Sequence, residues 1–279
     1  MTGAAPDRGR VAVIGGGGRL PGLLLEALEA AGADPVPAEM AGFPFEGAGT
    51  RTVERFRIER LVPFLERLRA LGVTRVAMAG RISRPALDPA ALDPATAALV
   101  PKLMAAMAAG DDTTLRAVVA VIEAAGLDVV GAADLRPDLV PGPGVPGAVE
   151  PDPRARADAA RAAAIVAALG AADVGQGAVV AGGLCLAVEA LPGTDVMLSQ
   201  VAALPGGGRR GVLFKAPKPG QEMRVDMPAL GPDTVRAAAA AGLAGIAWQA
   251  GGVMLIDRDA AVAAADAAGL FLWAREAEG

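Results

Sequence analysis

Residues 11–31, VAVIGGGGRLPGLLLEALEAA, decide how the first half of the chain folds. The apolar run VAVI has the composition and length of a short buried strand, and it ends in four consecutive glycines. Pro21 then stands just inside a leucine-rich helix that runs from about Leu20 to Ala31. Strand, glycine turn and helix in that order open a βαβ unit. Outward from it the alternation continues. Residues 60–71 place Leu61, Phe64, Leu65 and Leu68 on one helical face, and 74–79 read as a strand that ends at the turn 80–85. Helices follow near 95–108 and 112–125, then a strand at 127–130. This pattern predicts an α/β fold with a mostly parallel sheet and covering helices.

Residues 134–153, DLRPDLVPGPGVPGAVEPDP, are dense in proline and glycine and read as an interdomain connection. After it come an alanine-rich helix to about Leu169 and two strands around Gly182 and Gly183. A helix near 194–203, a strand at 211–215, a helix near 233–241 and strands at 245–248 and 252–256 follow. A helix at 258–268 and a strand-like LFLW close the chain. The expectation is two tethered α/β domains. Residues 1–135 form a Rossmann-like domain with a mostly parallel sheet, and 136–279 a catalytic domain with a mixed sheet and helices.

Composition restricts the chemistry. The 279 residues contain no histidine and no tyrosine, which excludes Ser–His–Asp and Cys–His nucleophilic machinery and His-ligated zinc. Catalysis must run on Asp, Glu, Lys, Arg, Ser or Thr, or on an oxygen-ligated metal such as magnesium. With 26 basic and 31 acidic residues the net charge is -5, so there is no global basic footprint and no nucleic-acid partner is expected. The lone Cys185 lies in the apolar run LCLAV and reads as a core residue in a reducing compartment. The mean hydropathy of +0.42 comes largely from alanine, and no window offers twenty apolar residues without charge. MTGAAPDRGR lacks the basic-then-apolar pattern of a signal peptide. The expected location is the cytoplasm, with peripheral contact at a membrane surface.

The densest chemistry lies in 214–234, FKAPKPGQEMRVDMPALGPDT, where Lys215, Lys218, Arg224, Gln221 and Asp226 fall within a turn bent by Pro217, Pro219 and Gly220. Cations neutralise phosphate oxygens, a helix start adds N–H donors, and a carboxylate holds a metal or takes a proton from water. The bland alternative is a solvated hairpin. Gly16, Gly17 and Gly18 have the context of a phosphate cradle without full dinucleotide spacing, which favours a nucleotide or sugar-phosphate contact. Arg81 and Arg84 lie beyond a strand end, where α/β sheets bind ligands. Asp112, in GDDT, reads as helix-start chemistry. Glu189 ends a strand and Thr194 and Asp195 open a helix. With Asp226, Glu189 and Asp195 are oxygen donors of the kind magnesium prefers, although spacing alone does not bring them together. Gln176, between two glycines, faces either a ligand or the backbone.

An ordered set of segments covers nearly the whole chain: IGGGGRLP at 14–21, AGRISRP at 79–85, GDDTTLR at 110–116 and DVGQGAVV at 173–180. LAVEALPGTDVML at 186–198, KAPKPGQEMRVDMPALG at 215–231 and AGLAGIAWQAG at 241–251 complete it. In these the sequence resembles the UDP-2,3-diacylglucosamine pyrophosphatases of lipid A biosynthesis in Gram-negative bacteria, of the LpxI type. The resemblance implies a magnesium-dependent hydrolase that holds its lipid substrate between two domains and releases UMP and diacylglucosamine 1-phosphate. It places the essential carboxylate on Asp226, as a metal ligand or as an activator of water. Lys215, Lys218 and Arg224 would then screen the diphosphate, and Gln221 and Thr234 would position it. Contact with the inner-membrane surface and a homo-oligomer are compatible with that role. The chain departs from the family pattern at Met227, Ala229 and Leu230, and at Gln249, where glutamate is usual. Two competing readings follow from these features. The glycine loop suggests a nicotinamide-dependent oxidoreductase, and the Gln249 departure a non-catalytic nucleotide-sugar or lipid carrier.

Overall fold

The apolar run that opens the chain forms β1 (Arg10–Gly15), and the leucine-rich segment after the glycines forms α1 (Leu20–Ala30), with Pro21 in its first turn. The computed structural model describes residues 9–82 and 86–276. It divides into two compact units: Met1–Pro137 with Glu222–Asp226, and Asp138–Gln221 with Met227–Gly279.

In the first unit the chain continues through β2 (Val36–Met40), β3 (Glu54–Phe56), α2 (Leu61–Ala70) and β4 (Val73–Ala79). α3 (Pro94–Ala97), α4 (Val100–Ala109), α5 (Asp111–Ala124), β5 (Asp128–Val129) and α6 (Ala132–Leu135) follow. The five strands lie in the order β3-β2-β1-β4-β5, every pair parallel. Parallel neighbours need crossover helices, and α1 supplies the first of them. Ala12 and Ile14 share a core with Phe64, Leu65 and Leu68 of α2 and with Val119 and Ile122 of α5. α1 buries Leu24, Leu25 and Leu28.

Two elements differ from expectation. The helix expected over 95–108 is two helices, because Pro94 and Pro101 each start a new first turn, where proline's missing N–H is harmless. β3, with sequence ERF, has no apolar signature, and its backbone pairing with β2 makes it a strand.

The second unit contains α7 (Pro153–Ala171), β6 (Gly177–Ala181), β7 (Leu184–Val188), α8 (Gly193–Ala202), β8 (Val212–Lys215) and β9 (Ala229–Leu230). α9 (Pro232–Ala240), β10 (Gly245–Gln249), β11 (Met254–Leu255), α10 (Arg258–Ala268) and β12 (Phe271–Arg275) complete it. Its sheet runs β12-β10-β8-β6-β7, with β8, β10 and β12 parallel and β6 antiparallel to both neighbours. It is a mixed sheet. Successive side chains alternate between faces. Leu213, Ile246, Trp248 and Leu272 pack with residues of α8, α9 and α10 on one side. Val212, Phe214, Ala247 and Phe271 meet the alanine stripe Ala155, Ala159 and Ala162 of α7 on the other. The small stripe lets that helix lie close to the sheet.

Cys185 is exposed on β7, contrary to the core position expected of it. β7 borders the sheet on one side only, so an apolar run here does not mean burial. Among the described residues no helix is long and apolar enough to cross a membrane.

Candidate active site

The strand edges of both units carry the sequence-predicted residues. In the first unit β1 lies between β2 and β4, so its carboxyl end is the point where strand order reverses, the usual place for a ligand in such sheets. The glycine loop is packed tightly there. A Cβ on Gly15 would lie 2.4 Å from the Phe45 ring, and one on Gly16 would lie 2.3 Å from the Arg81 carbonyl. The amides of the loop already have acceptors. Gly16 N–H donates to Ala79 O (3.0 Å), Gly17 N–H to Arg81 O (3.1 Å) and Gly18 N–H to Glu46 Oε2 (2.6 Å). Arg81 returns its N–H to Gly17 O (2.8 Å), which clips the two loops together. Close packing accounts for Gly15 and Gly16, whereas a Cβ on Gly17 would meet Glu46 Oε1 only at 3.4 Å and Gly18 is set by its φ of +99° in open space. Arg84 lies outside the described residues.

Met40 and Phe45 are buried core residues. Glu39 is buried as well. Its Oε2 accepts from Phe45 N–H (2.8 Å) and its Oε1 pairs with Arg55 (2.6 Å), so this acid at the end of β2 is turned toward the protein.

The cationic run of 214–234 is shared between the units. Lys215, Lys218 and Gln221 belong to the second; Arg224 and Asp226 belong to the first.

In the second unit, antiparallel pairing brings the start of β6 beside the end of β8, with Gly177 opposite Lys215. Glu189, just past β7, donates its N–H to Gly177 O (2.8 Å). Lys215 and Glu189 meet there as a buried pair, with side chains only 5% and 9% exposed and Nζ 3.7 Å from Oε2. Thr194, in the first turn of α8, links them. Lys215 Nζ donates to Thr194 Oγ1 (2.7 Å), and the Thr194 hydroxyl donates to Glu189 Oε1 (2.8 Å). Glu189 Oε2 has no hydrogen-bond partner. The glycines around Gln176 make room for this carboxylate. A Cβ on Gly175 would lie 1.9 Å from Glu189 O, and one on Gly177 would lie 2.5 Å from Oε2.

Next to the pair, Lys218 reaches Asp173 Oδ1 (2.6 Å), and its N–H donates to the Gln221 side chain (2.8 Å). The Gln221 amide in turn donates to Gln176 Oε1 (3.3 Å). Gln249 ends β10 beside this turn, since a Cβ on Gly252 would crowd both Gln249 Nε2 (3.3 Å) and Pro217 Cδ (2.8 Å). Gln176, Glu189, Thr194, Lys215, Lys218 and Gln221 thus share one sheet edge. Thr234 stands separately in the first turn of α9.

Asp226 ends a tight turn, 222–226, in which Val225 and Asp226 N–H groups donate to Glu222 O (3.2 and 3.0 Å). Glu222 N–H donates to Asp112 Oδ1 (3.0 Å), and Asp112 also pairs with Arg116 (2.7 Å). Arg224 grips Glu222 through Nε and Nη2 (2.8 Å each) and Glu123 through Nη1 (2.7 Å). These contacts hold the Glu222 carboxyl below its ordinary value, chiefly through Arg224, and push the guanidinium up, chiefly through Glu222. Arg224, expected to screen a diphosphate, is engaged by Glu222 and Glu123.

The three expected magnesium ligands are divided between the two units. Glu189 is paired with Lys215, Asp195 is exposed in the first turn of α8, and Asp226 belongs to the other unit. Among the described residues no three acidic or thiol side chains are grouped to hold a metal ion. Within the second unit, the pairing of Glu189 with Lys215 does not fit a resident metal site.

Sequence reasoning missed Asp173, Glu46, Glu123 and Glu222. Only Glu222 carried a signal, two residues before an arginine in a turn. The others become partners through folding, Glu123 at 101 positions from Arg224.

The family model for the LpxI N-terminal domain matches residues 10–139, and that for the LpxI C-terminal domain matches 142–273. The chain is 39% identical over 269 residues to the UDP-2,3-diacylglucosamine pyrophosphatase LpxI of Caulobacter vibrioides, which spans 94% of this chain and 96% of that protein.

Proposed function

The chain belongs to the LpxI family, and from that premise we propose that it hydrolyses the diphosphate of UDP-2,3-diacylglucosamine to UMP and 2,3-diacylglucosamine 1-phosphate in lipid A biosynthesis. The structural observation that carries the reading is the sheet edge of the second unit. There Lys215 and Lys218, paired with Glu189 and Asp173, stand among hydroxyl and amide groups at the carboxyl ends of parallel strands. Ammonium groups at such an edge stabilise phosphate oxygens as negative charge moves onto the leaving nucleotide. Lys215 and Lys218 take that role, with Gln176 and Gln221 orienting polar groups of the nucleotide or sugar. Asp226 is the essential carboxylate, acting on water.

Magnesium belongs to the proposal as a counter-ion that enters with the diphosphate, since such ions are commonly held by one or two carboxylates and substrate phosphates. Loss of activity in EDTA and its return on adding magnesium test this. Peripheral contact with the inner-membrane surface and self-association complete the proposal. Co-sedimentation with lipid vesicles and analytical ultracentrifugation test them.

The deciding experiment is UMP release from UDP-2,3-diacylglucosamine by the wild type and Asp226→Ala. A loss of at least about a hundredfold, roughly 2.7 kcal/mol of transition-state stabilisation, is expected. Substrate binding by the wild type without turnover would favour a carrier. Undiminished turnover in the variant would remove Asp226 from the site.

A further inference from the structure

We propose that Arg224 is a positioning residue for Asp226, held by a clasp of Glu222, Glu123 and Asp112, and that it does not bind substrate phosphate. The inference rests on Asp226 as the essential carboxylate.

Arg224 has a planar fork of N–H donors suited to bidentate pairing with a carboxylate. Nε and Nη2 meet the two oxygens of Glu222, and Nη1 reaches Glu123 Oε1 at 2.7 Å, with Val129 O at 3.5 Å. Two cations, Arg224 and Arg116, among the three carboxylates of Glu222, Glu123 and Asp112 leave the cluster net negative, so it repels a diphosphate rather than attracting it. The backbone is fixed by other means at the same place. Asp112 accepts the Glu222 N–H, the Val225 side chain packs on the hydrophobic core of the first unit, and Asp226 N–H closes the turn on Glu222 O. Gly131 allows the close approach, since a Cβ there would lie 3.3 Å from Arg224 Cα. Asp226 follows Arg224 by two residues in this turn, so the clasp sets where its carboxylate stands.

The two roles for Arg224 predict opposite responses to one substitution. If Arg224 positions Asp226, Glu123→Gln loosens the turn and lowers kcat while KM barely moves. If Arg224 binds phosphate, the same substitution removes a competing carboxylate, so KM falls and kcat is kept.

The test is steady-state hydrolysis of UDP-2,3-diacylglucosamine by the full-length wild type, Glu123→Gln, Arg224→Lys, the double variant and Asp226→Asn. Positioning predicts a kcat loss of about threefold to tenfold in Glu123→Gln and at least about tenfold in Arg224→Lys, each with KM within about twofold. The double variant should be within about twofold of Arg224→Lys alone, because both changes disable one unit. A tenfold rise in KM at preserved kcat in Arg224→Lys, or a neutral or improved Glu123→Gln, overturns the clasp. Should Arg224→Lys fail to fold, Glu123→Gln decides, since its side chain is 44% exposed and its loss leaves the core intact. Full activity in Asp226→Asn sinks the reading of Asp226. An inactive Asp226→Asn beside unaffected clasp variants sinks only the clasp.

Discussion

Replacing Glu189 with alanine should destabilise the second unit, because it removes the carboxylate from a buried ion pair with Lys215. The Lys215 and Glu189 side chains are 5% and 9% exposed, and Thr194 bridges them by hydrogen bonds. Breaking a buried ion pair from one side costs about 3–5 kcal/mol, since the remaining charge stays buried after losing its counter-charge. At roughly 2–4 °C per kcal/mol for a unit of this size class, the melting temperature should fall by at least about 6 °C. Both tryptophans, Trp248 and Trp273, lie in this unit, so indole emission during a thermal melt reports it selectively. The double variant Glu189→Ala/Lys215→Met should recover most of the loss, because removing both charges of a buried pair is often nearly neutral. A single variant melting within about 1 °C of the wild type would refute the reasoning, as would a double variant no more stable than the single.

Two further outcomes are expected. Glu59 is held down to about 2, against an ordinary 4.5, first by its hydrogen bond from Arg57 and then by the Asp88 N–H. A depressed carboxyl adds stability that is complete above 4.5 and is lost as pH falls toward about 2. Acid titration of far-UV circular dichroism should therefore show a shallower decline for Glu59→Gln across that window, and identical profiles would contradict the assignment. Cys185 should react with a maleimide at one equivalent in the native protein, because it is exposed on β7. A thiol that reacts only in denaturant would place it in the core after all.

Much of the fold was legible because it rests on local pattern. The four apolar residues before the glycines made β1, the leucine face of 61–68 made α2, and both helices near the C-terminus fell where apolar spacing put them. β3 was not legible, because ERF is held only by its neighbour. Cys185 misled for a related reason: apolar character predicts strand, and only sheet order says whether the strand lies at an edge. The candidate site was legible as a set of residue types, whereas the partner of each charge was not. Lys215, Lys218 and Gln221 share an edge with Gln176 and Thr194, whereas Glu189 is a partner for lysine and Arg224 a partner for carboxylates.

The sequence by itself determined most of the elements, the α/β class, the exclusion of histidine chemistry and the family. Each of these depends on residue identity and short-range spacing, which the chain carries without folding. Only the tertiary structure decided which charges neutralise one another. It also moved the turn 222–226 from the half of the chain that encodes it into the first unit. Charge pairing acts over a few ångströms in space and is indifferent to sequence separation, so Glu123 and Arg224, 101 residues apart, meet only once the turn docks.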